Sequence, residues 1–206
     1  MEHKIIPDIV VGRLPLYLRA LQRMHQTGQY VTSSQDMAAR LGISAAQIRK
    51  DLSQFGEFGK QGTGYAVDYL IDQLCKILKV DRVWDVAVVG AGDIGSAIAR
   101  YQGFADRGFR VTLIFDSDPS KVGSAVGPFT VQDIAAMPEI ISRAGIKIAM
   151  IAVPAANAQA VVDELVKAGV KAILNYAPLN INVPEGVHVQ HTDPVSHLQR
   201  MTYYLD

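Results

Sequence analysis

Val86-Ala87-Val88-Val89-Gly90-Ala91-Gly92-Asp93-Ile94-Gly95 decides the reading of this 206-residue chain. The four apolar residues read as a buried strand, and Ile94, Ala97, Ile98 and Ala99 read as a helix. Strand, turn and helix in that order are the context in which G-x-G-x-x-G means dinucleotide binding. Gly90 permits the tight turn, Gly92 lets the backbone approach a pyrophosphate, and Gly95 lets the helix pack close to the strand. The helix N-terminus offers N–H groups and the positive end of its dipole to the anion. Asp93 stabilises that helix end and slightly disfavours phosphate. Gly90 through Gly95 are therefore the expected pyrophosphate site.

The next strand, Arg110-Val111-Thr112-Leu113-Ile114-Phe115, ends on Asp116, 21 residues after Gly95. A carboxylate there accepts the adenine ribose hydroxyls and repels a 2′-phosphate, which favours NAD(H) over NADP(H). Asp118 and Lys121 follow in a polar turn, and Lys121 is counted with the cofactor-binding residues. Strands are expected near 85–89, 110–115, 147–152, 171–176 and 187–191. Helices are expected near 93–105, 131–143, 155–168 and 194–205. Short apolar strands alternating with helices predict a parallel sheet covered on both faces. Two loops at strand ends, Val153-Pro154-Ala155-Ala156-Asn157 and Asn175-Tyr176-Ala177-Pro178, lie where open α/β sheets bind ligands. Turn chemistry alone would also use Pro and Asn there.

The roughly eighty residues in front of this motif need their own explanation. Residues 8–27 read as a helix, with Leu14, Leu18 and Leu21 at helical spacing and Pro15 marking a kink or a late start. Ser33 or Ser34 can cap a second helix through Leu41, whose apolar side is Ala38, Ala39 and Leu41. After Gly42, Ser44-Ala45-Ala46-Gln47 has capping-box form and opens a third helix to about Phe55. Ile48 and Leu52 face inward. Gln47, Arg49, Lys50, Ser53 and Gln54 face outward and suit base edges and phosphates. Two helices joined by a short glycine turn fit a helix-turn-helix. An ordinary solvated helix face has the same composition. Residues 56–67, with four glycines and flanking aromatics, read as a β-hairpin wing with Lys60 near its tip, or as a flexible loop. A further helix is expected over 68–78, with Leu70, Ile71, Leu74 and Leu78 on one side.

Composition is consistent with this division. Residues 1–80 hold ten Lys/Arg and seven Asp/Glu, and residues 81–206 hold ten and thirteen. A mildly basic first part is compatible with nucleic acid but weak evidence alone. The single Cys75 excludes an intramolecular disulfide and a cysteine-rich zinc cluster. There is no signal-peptide pattern and no apolar run of bilayer length, so a soluble cytoplasmic protein without a membrane partner is expected. A dehydrogenase needs a substrate domain with a placed acid or base. Here the sequence runs only about thirty residues past Pro178. His188, His191 and His197 have neither metal nor triad spacing. The nucleotide is therefore expected to be sensed, not turned over. The last helix carries Leu198, Met201 and Leu205 on one stripe, for core packing or a subunit contact.

The chain resembles the Rex redox-sensing transcriptional repressors of bacteria over essentially its whole length. The resemblance rests on Arg13-Leu14-Pro15-Leu16-Tyr17, Gln47 to Gly56, Lys60 to Tyr65, Val89 to Gly92, Phe115 to Gly123 and Ile173 to Pro178. It implies a homodimer that binds an inverted-repeat operator in double-stranded DNA when NAD+ prevails and leaves it when NADH binds. It implies that the C-terminal helix swaps into the partner. It also implies that Tyr101 and Asp193 lie near the nicotinamide and that Arg19 pairs with Asp193. The expected architecture is a winged helix-turn-helix domain over 1–80, with Ser44, Gln47, Arg49, Lys50, Ser53, Lys60 and Tyr65 on DNA. A Rossmann-like NAD(H) domain follows over 81–193, and then a dimerisation helix over 194–206. The alternatives are a small NAD-dependent dehydrogenase, a regulator responding to another nucleotide such as coenzyme A, and a purely structural DNA-binding protein.

Overall fold

A computed structural model describes residues 6–59 and 64–205, which form two compact units meeting at Arg82/Val83. In the first unit, α1 (Asp8–Val11) and α2 (Leu14–Gln26) replace the continuous helix expected over 8–27. Pro15 sits in the first turn of α2, where its missing N–H has no helical partner to lose. The short strand β1 (Val31–Thr32) leads into α3 (Ser34–Leu41) and α4 (Ala45–Leu52). Ser33 caps α3 in a complete box with Asp36, and Gly42 ends it in the left-handed conformation. Met37 is the fully buried apolar residue of α3, Ala38 and Leu41 pack against the core as expected, and Ala39 is exposed. Strand β2 (Tyr65–Ala66) pairs antiparallel with β1. The strand in the predicted wing thus joins β1, and the expected wing tip with Lys60 lies outside the described residues. Helix α5 (Val67–Ile77) completes the unit. Its core joins Leu14, Leu18 and Leu21 of α2 to Ile48 and Leu52 of α4 and to Leu70 and Leu74 of α5.

The second unit is built on a six-stranded parallel sheet. Its strands are β3 (Trp84–Val89), β4 (Phe109–Asp116), β7 (Gln132–Asp133), β8 (Ile148–Ile151), β9 (Ala172–Asn175) and β10 (His188–His191). They lie in the order β10-β9-β8-β3-β4-β7, and a small β5 (Ala125–Val126) and β6 (Phe129–Thr130) pair forms a separate ribbon. Alternate residues of β3 feed two cores: Val86 and Val88 pack with Ile98 and Ala99, while Ala87 and Val89 pack with Ile141, Val162 and Leu165. The helices supplying these residues are α6 (Asp93–Arg100), α7 (Met137–Ala144) and α8 (Ala155–Lys167). A strand covered on both faces explains why Val86–Val89 is apolar without alternation.

Two expectations fail locally. Helix α6 stops at Arg100 rather than near 105. Tyr101 turns extended and its ring stands edge-on to Phe104, 5.0 Å away, above Gly103, where any Cβ would collide with it. Residues 131–143 are not one helix. Gln132–Asp133 joins the sheet beside Phe115–Asp116, and the Asp133 side chain accepts the Ala135 N–H before α7 begins. The last helix, α9 (Pro194–Thr202), buries none of its residues. No described helix is long and apolar enough to cross a membrane.

Candidate functional site

Chain order reverses between β3 and β8, the place where open α/β sheets leave a crevice at their carboxyl ends. The glycine turn fills it. Gly90 has φ +99°, and a Cβ there would run into the Ala152 carbonyl oxygen. Gly95 faces the Gly90 carbonyl so closely that no side chain fits. Gly92 differs from both: its φ of −77° suits any residue, and a Cβ there would meet nothing within 4 Å. That open space lies at the start of α6, which has no side-chain cap among the described residues.

A cavity of about 560 Å³ opens from this turn. Of the expected cofactor residues, Gly90, Gly92, Asp93, Ile94, Asp116, Lys121, Val153, Pro154 and Tyr176 line it. The buried Asp116 carboxylate accepts the Ala91 N–H at 2.7 Å, the Asp118 N–H at 2.8 Å and the Lys121 ammonium at 3.3 Å. Burial opposes its ionisation. The Asp118 and Ala91 N–H bonds and Lys121 outweigh that and hold its pKa below the usual carboxylate value. Asp116 therefore fixes the glycine turn, and as a carboxylate with four acceptor sites it retains capacity for a ribose hydroxyl. Burial alone raises the pKa of Tyr176.

The remaining residues lie elsewhere. Ala91 and Gly95 are buried behind the turn. Asn175 is fully buried: its amide donates to the Ala177 and Leu179 carbonyls, and its oxygen accepts the Ala177 N–H at 2.8 Å. It shapes the loop that presents Tyr176. Tyr101 is exposed after α6. Asp193 caps α9 by accepting the Val195 N–H at 2.9 Å. Arg19 is exposed on α2, in the other unit.

On the first unit, Lys50, Ser53 and Ser44 are exposed and Tyr65 is half-buried. Ser44 accepts the Gln47 N–H, but Gln47 does not complete the predicted box; its amide donates to Asp51 at 2.7 Å instead. Arg49 donates to the Ser34 hydroxyl at 2.9 Å, tying α4 to α3. A groove of about 910 Å³ is lined by Gln35, Arg49, Ser53, Glu57 and Tyr65 among others, between α4 and residues 56–59 and 64–65.

Two protein families match this chain: "Putative DNA-binding protein N-terminus" over residues 5–53 and "CoA binding domain" over residues 81–179. The redox-sensing transcriptional repressor Rex of Chloroflexus aurantiacus is 52% identical over 199 residues, covering 97% of this chain and 94% of that protein. That of Roseiflexus is 54% identical over 199 residues, covering 97% and 90%. The chain belongs to the Rex family of transcriptional repressors. RSP, itself a Rex-family repressor, has been crystallised with NAD+ and operator DNA; that structure matches with a TM-score of 0.93 and 37% identity, over 98% of this chain and 93% of its own. RSP with NADH gives 0.89 and 35%, over 98% and 95%.

As a member of the Rex family the protein is a transcriptional regulator. Two features of this Rex chain escaped the sequence reading. One is Asp51, which is fully buried and accepts two bonds from Arg13, at 2.6 and 2.8 Å, and one from the Tyr17 hydroxyl at 2.6 Å. The other is His191, whose Nδ1 lies 3.0 Å from the Asn175 amide nitrogen. A polar residue inside an apolar helix register was the only sign of the first. Nothing local signalled the second.

Proposed function

We propose that this protein binds inverted-repeat operator DNA as a homodimer when NAD+ prevails and releases it when NADH occupies the second unit, acting in the cytoplasm without turning the nucleotide over. The observation that carries the proposal is the match of nearly the whole chain to one repressor crystallised both with NAD+ and operator DNA and with NADH. The open space at Gly92 and the ionised Asp116 fit a dinucleotide. Gly92 and the start of α6 would hold the pyrophosphate, Asp116 the adenine ribose, and Val153, Pro154 and Tyr176 the far side of the cavity. NAD+ and NADH differ by a hydride and one positive charge. Asp193 would respond by exchanging partners between the ring and Arg19. Such a switch moves DNA affinity only through unequal affinity for two dimer states.

The direct test is a fluorescent palindromic operator titrated with NADH and then NAD+ at fixed salt. Release by NADH with little effect of NAD+ is expected; DNA binding indifferent to both would remove the regulatory reading. Asp193→Asn keeps the cap, because Asn caps a helix as well as Asp does. It is expected to retain operator binding and lose the NADH response, and an unchanged response would clear Asp193 of the switch. Lys50→Ala is expected to weaken binding to every duplex and to lower the salt slope by about one.

The match to the CoA binding domain family favours a second reading, with coenzyme A in the cavity. The Asp116 carboxylate opposes a ribose phosphate. Competition of coenzyme A against bound NADH decides between the two.

A further inference from the structure

Helix α4 is eight residues long, too short to be stable by itself. Its apolar anchors, Ile48 and Leu52, are fully or almost fully buried, but apolar contact is not directional. Two apolar anchors specify that this face of the helix is buried more than they specify a single orientation. Besides the Arg49–Ser34 bond to α3, the directional restraint toward α2 comes from Asp51, between the exposed Lys50 and the buried Leu52. Arg13, at the start of α2, grips both carboxylate oxygens through Nε and a terminal nitrogen, and Tyr17, one turn further along α2, adds a third donor. Gln47 closes the set from within α4 itself. The fork of a guanidinium on a carboxylate specifies orientation as well as distance.

We propose that the Arg13–Tyr17–Asp51–Gln47 cluster sets the register of α4 against α2 and thereby determines how sharply the repressor discriminates its operator. The proposal rests on α4 being the helix that reads DNA. The cluster spans α2 and α4 at sequence separations of 38 and 34 residues, so it positions α4 from outside the helix-turn-helix. Arg13, with a side chain only 19% exposed and two hydrogen bonds to Asp51, acts as a positioning residue and not as a phosphate contact.

A buried ion pair exchanged whole for apolar residues of similar volume usually leaves stability intact, which separates positioning from mere support. The triple variant Arg13→Met, Tyr17→Phe, Asp51→Leu is expected to melt like the parent. It should bind a shuffled duplex within about twofold of the parent, with the same salt slope, and lose at least about tenfold of its preference for the operator. A triple variant that melts normally and keeps the parent's preference overturns the proposal. So does a salt slope reduced by about one, which would make Arg13 a phosphate contact. If the triple variant does not melt cooperatively, Tyr17→Phe alone decides. It removes one hydroxyl, and it is expected to reduce operator preference about threefold with the shuffled duplex unaffected; unchanged preference overturns the proposal. Lys50→Ala in the parent serves as the control: if it leaves DNA binding unaltered, α4 is not the reading helix and the proposal falls for that separate reason.

Discussion

Gly92→Val is expected to fold as the parent does and to bind NADH at least about 100-fold more weakly, roughly 2.7 kcal/mol. The backbone at Gly92 is in a region open to any residue, and a Cβ there touches nothing of the protein, so the change costs the fold little. The added branches occupy the space through which a pyrophosphate must approach the start of α6. The same change at the neighbouring glycines would be uninformative. Gly90 is left-handed and pressed on the Ala152 carbonyl, and Gly95 is pressed on the Gly90 carbonyl, so a side chain at either damages the turn itself. Isothermal titration with NADH beside a thermal melt is the check. A variant that binds DNA normally and is no longer released by NADH is the expected repressor phenotype. NADH affinity within a few-fold of the parent would remove the pyrophosphate from this turn.

Asp51→Asn should destabilise the first unit by about 3–5 kcal/mol, the cost of removing one partner from a buried ion pair. The amide would turn a donor toward Arg13, Tyr17 or Gln47, all of which donate to the carboxylate. Burial opposes ionisation of Asp51, but the bonds from Arg13, Tyr17 and Gln47 and the guanidinium charge outweigh it and hold its pKa below the ordinary value. The reciprocal effects agree: hydrogen bonding to Asp51 raises the Arg13 pKa, and burial followed by the Asp51 bond pushes the Tyr17 phenol up to about 12. A carboxyl with a depressed folded pKa stabilises the fold above its unfolded pKa, near 3.9, and that contribution is lost as pH falls through the folded value. The parent should therefore lose stability progressively below about pH 4, and Asp51→Asn should lose less over the same range. Urea melts of both proteins at pH 3 and pH 7 test this. Equal acid sensitivity in the two would show that other carboxylates govern it.

The inward positions of α2, α4 and α5 were legible because apolar residues at helical spacing bury one face wherever the helix goes. The glycine turn was legible because its three glycines form one contiguous motif between a strand and a helix, although the Ala152 carbonyl that Gly90 faces lies far along the chain. Asp116 was legible as an acid at the right distance, although its grip on the Ala91 N–H was not. Helix ends were read less well, since Tyr101 folding over Gly103 depends on ring packing that periodicity does not encode.

The sequence by itself determined the two-part architecture, the glycine turn between strand and helix, the helix-turn-helix and the resemblance that names the family. All of these are carried by local spacing or by contiguous motifs. Only the tertiary structure decided what Asp51, Gln47 and Asn175 do. Asp51 meets Arg13 and Tyr17 on α2, 34 to 38 residues away, Asn175 meets His191 16 residues on as well as its own loop, and Gln47 turns to Asp51 within α4. A buried polar side chain must find a partner wherever the fold brings one within reach, and that choice is made by packing, not by its neighbours in the chain.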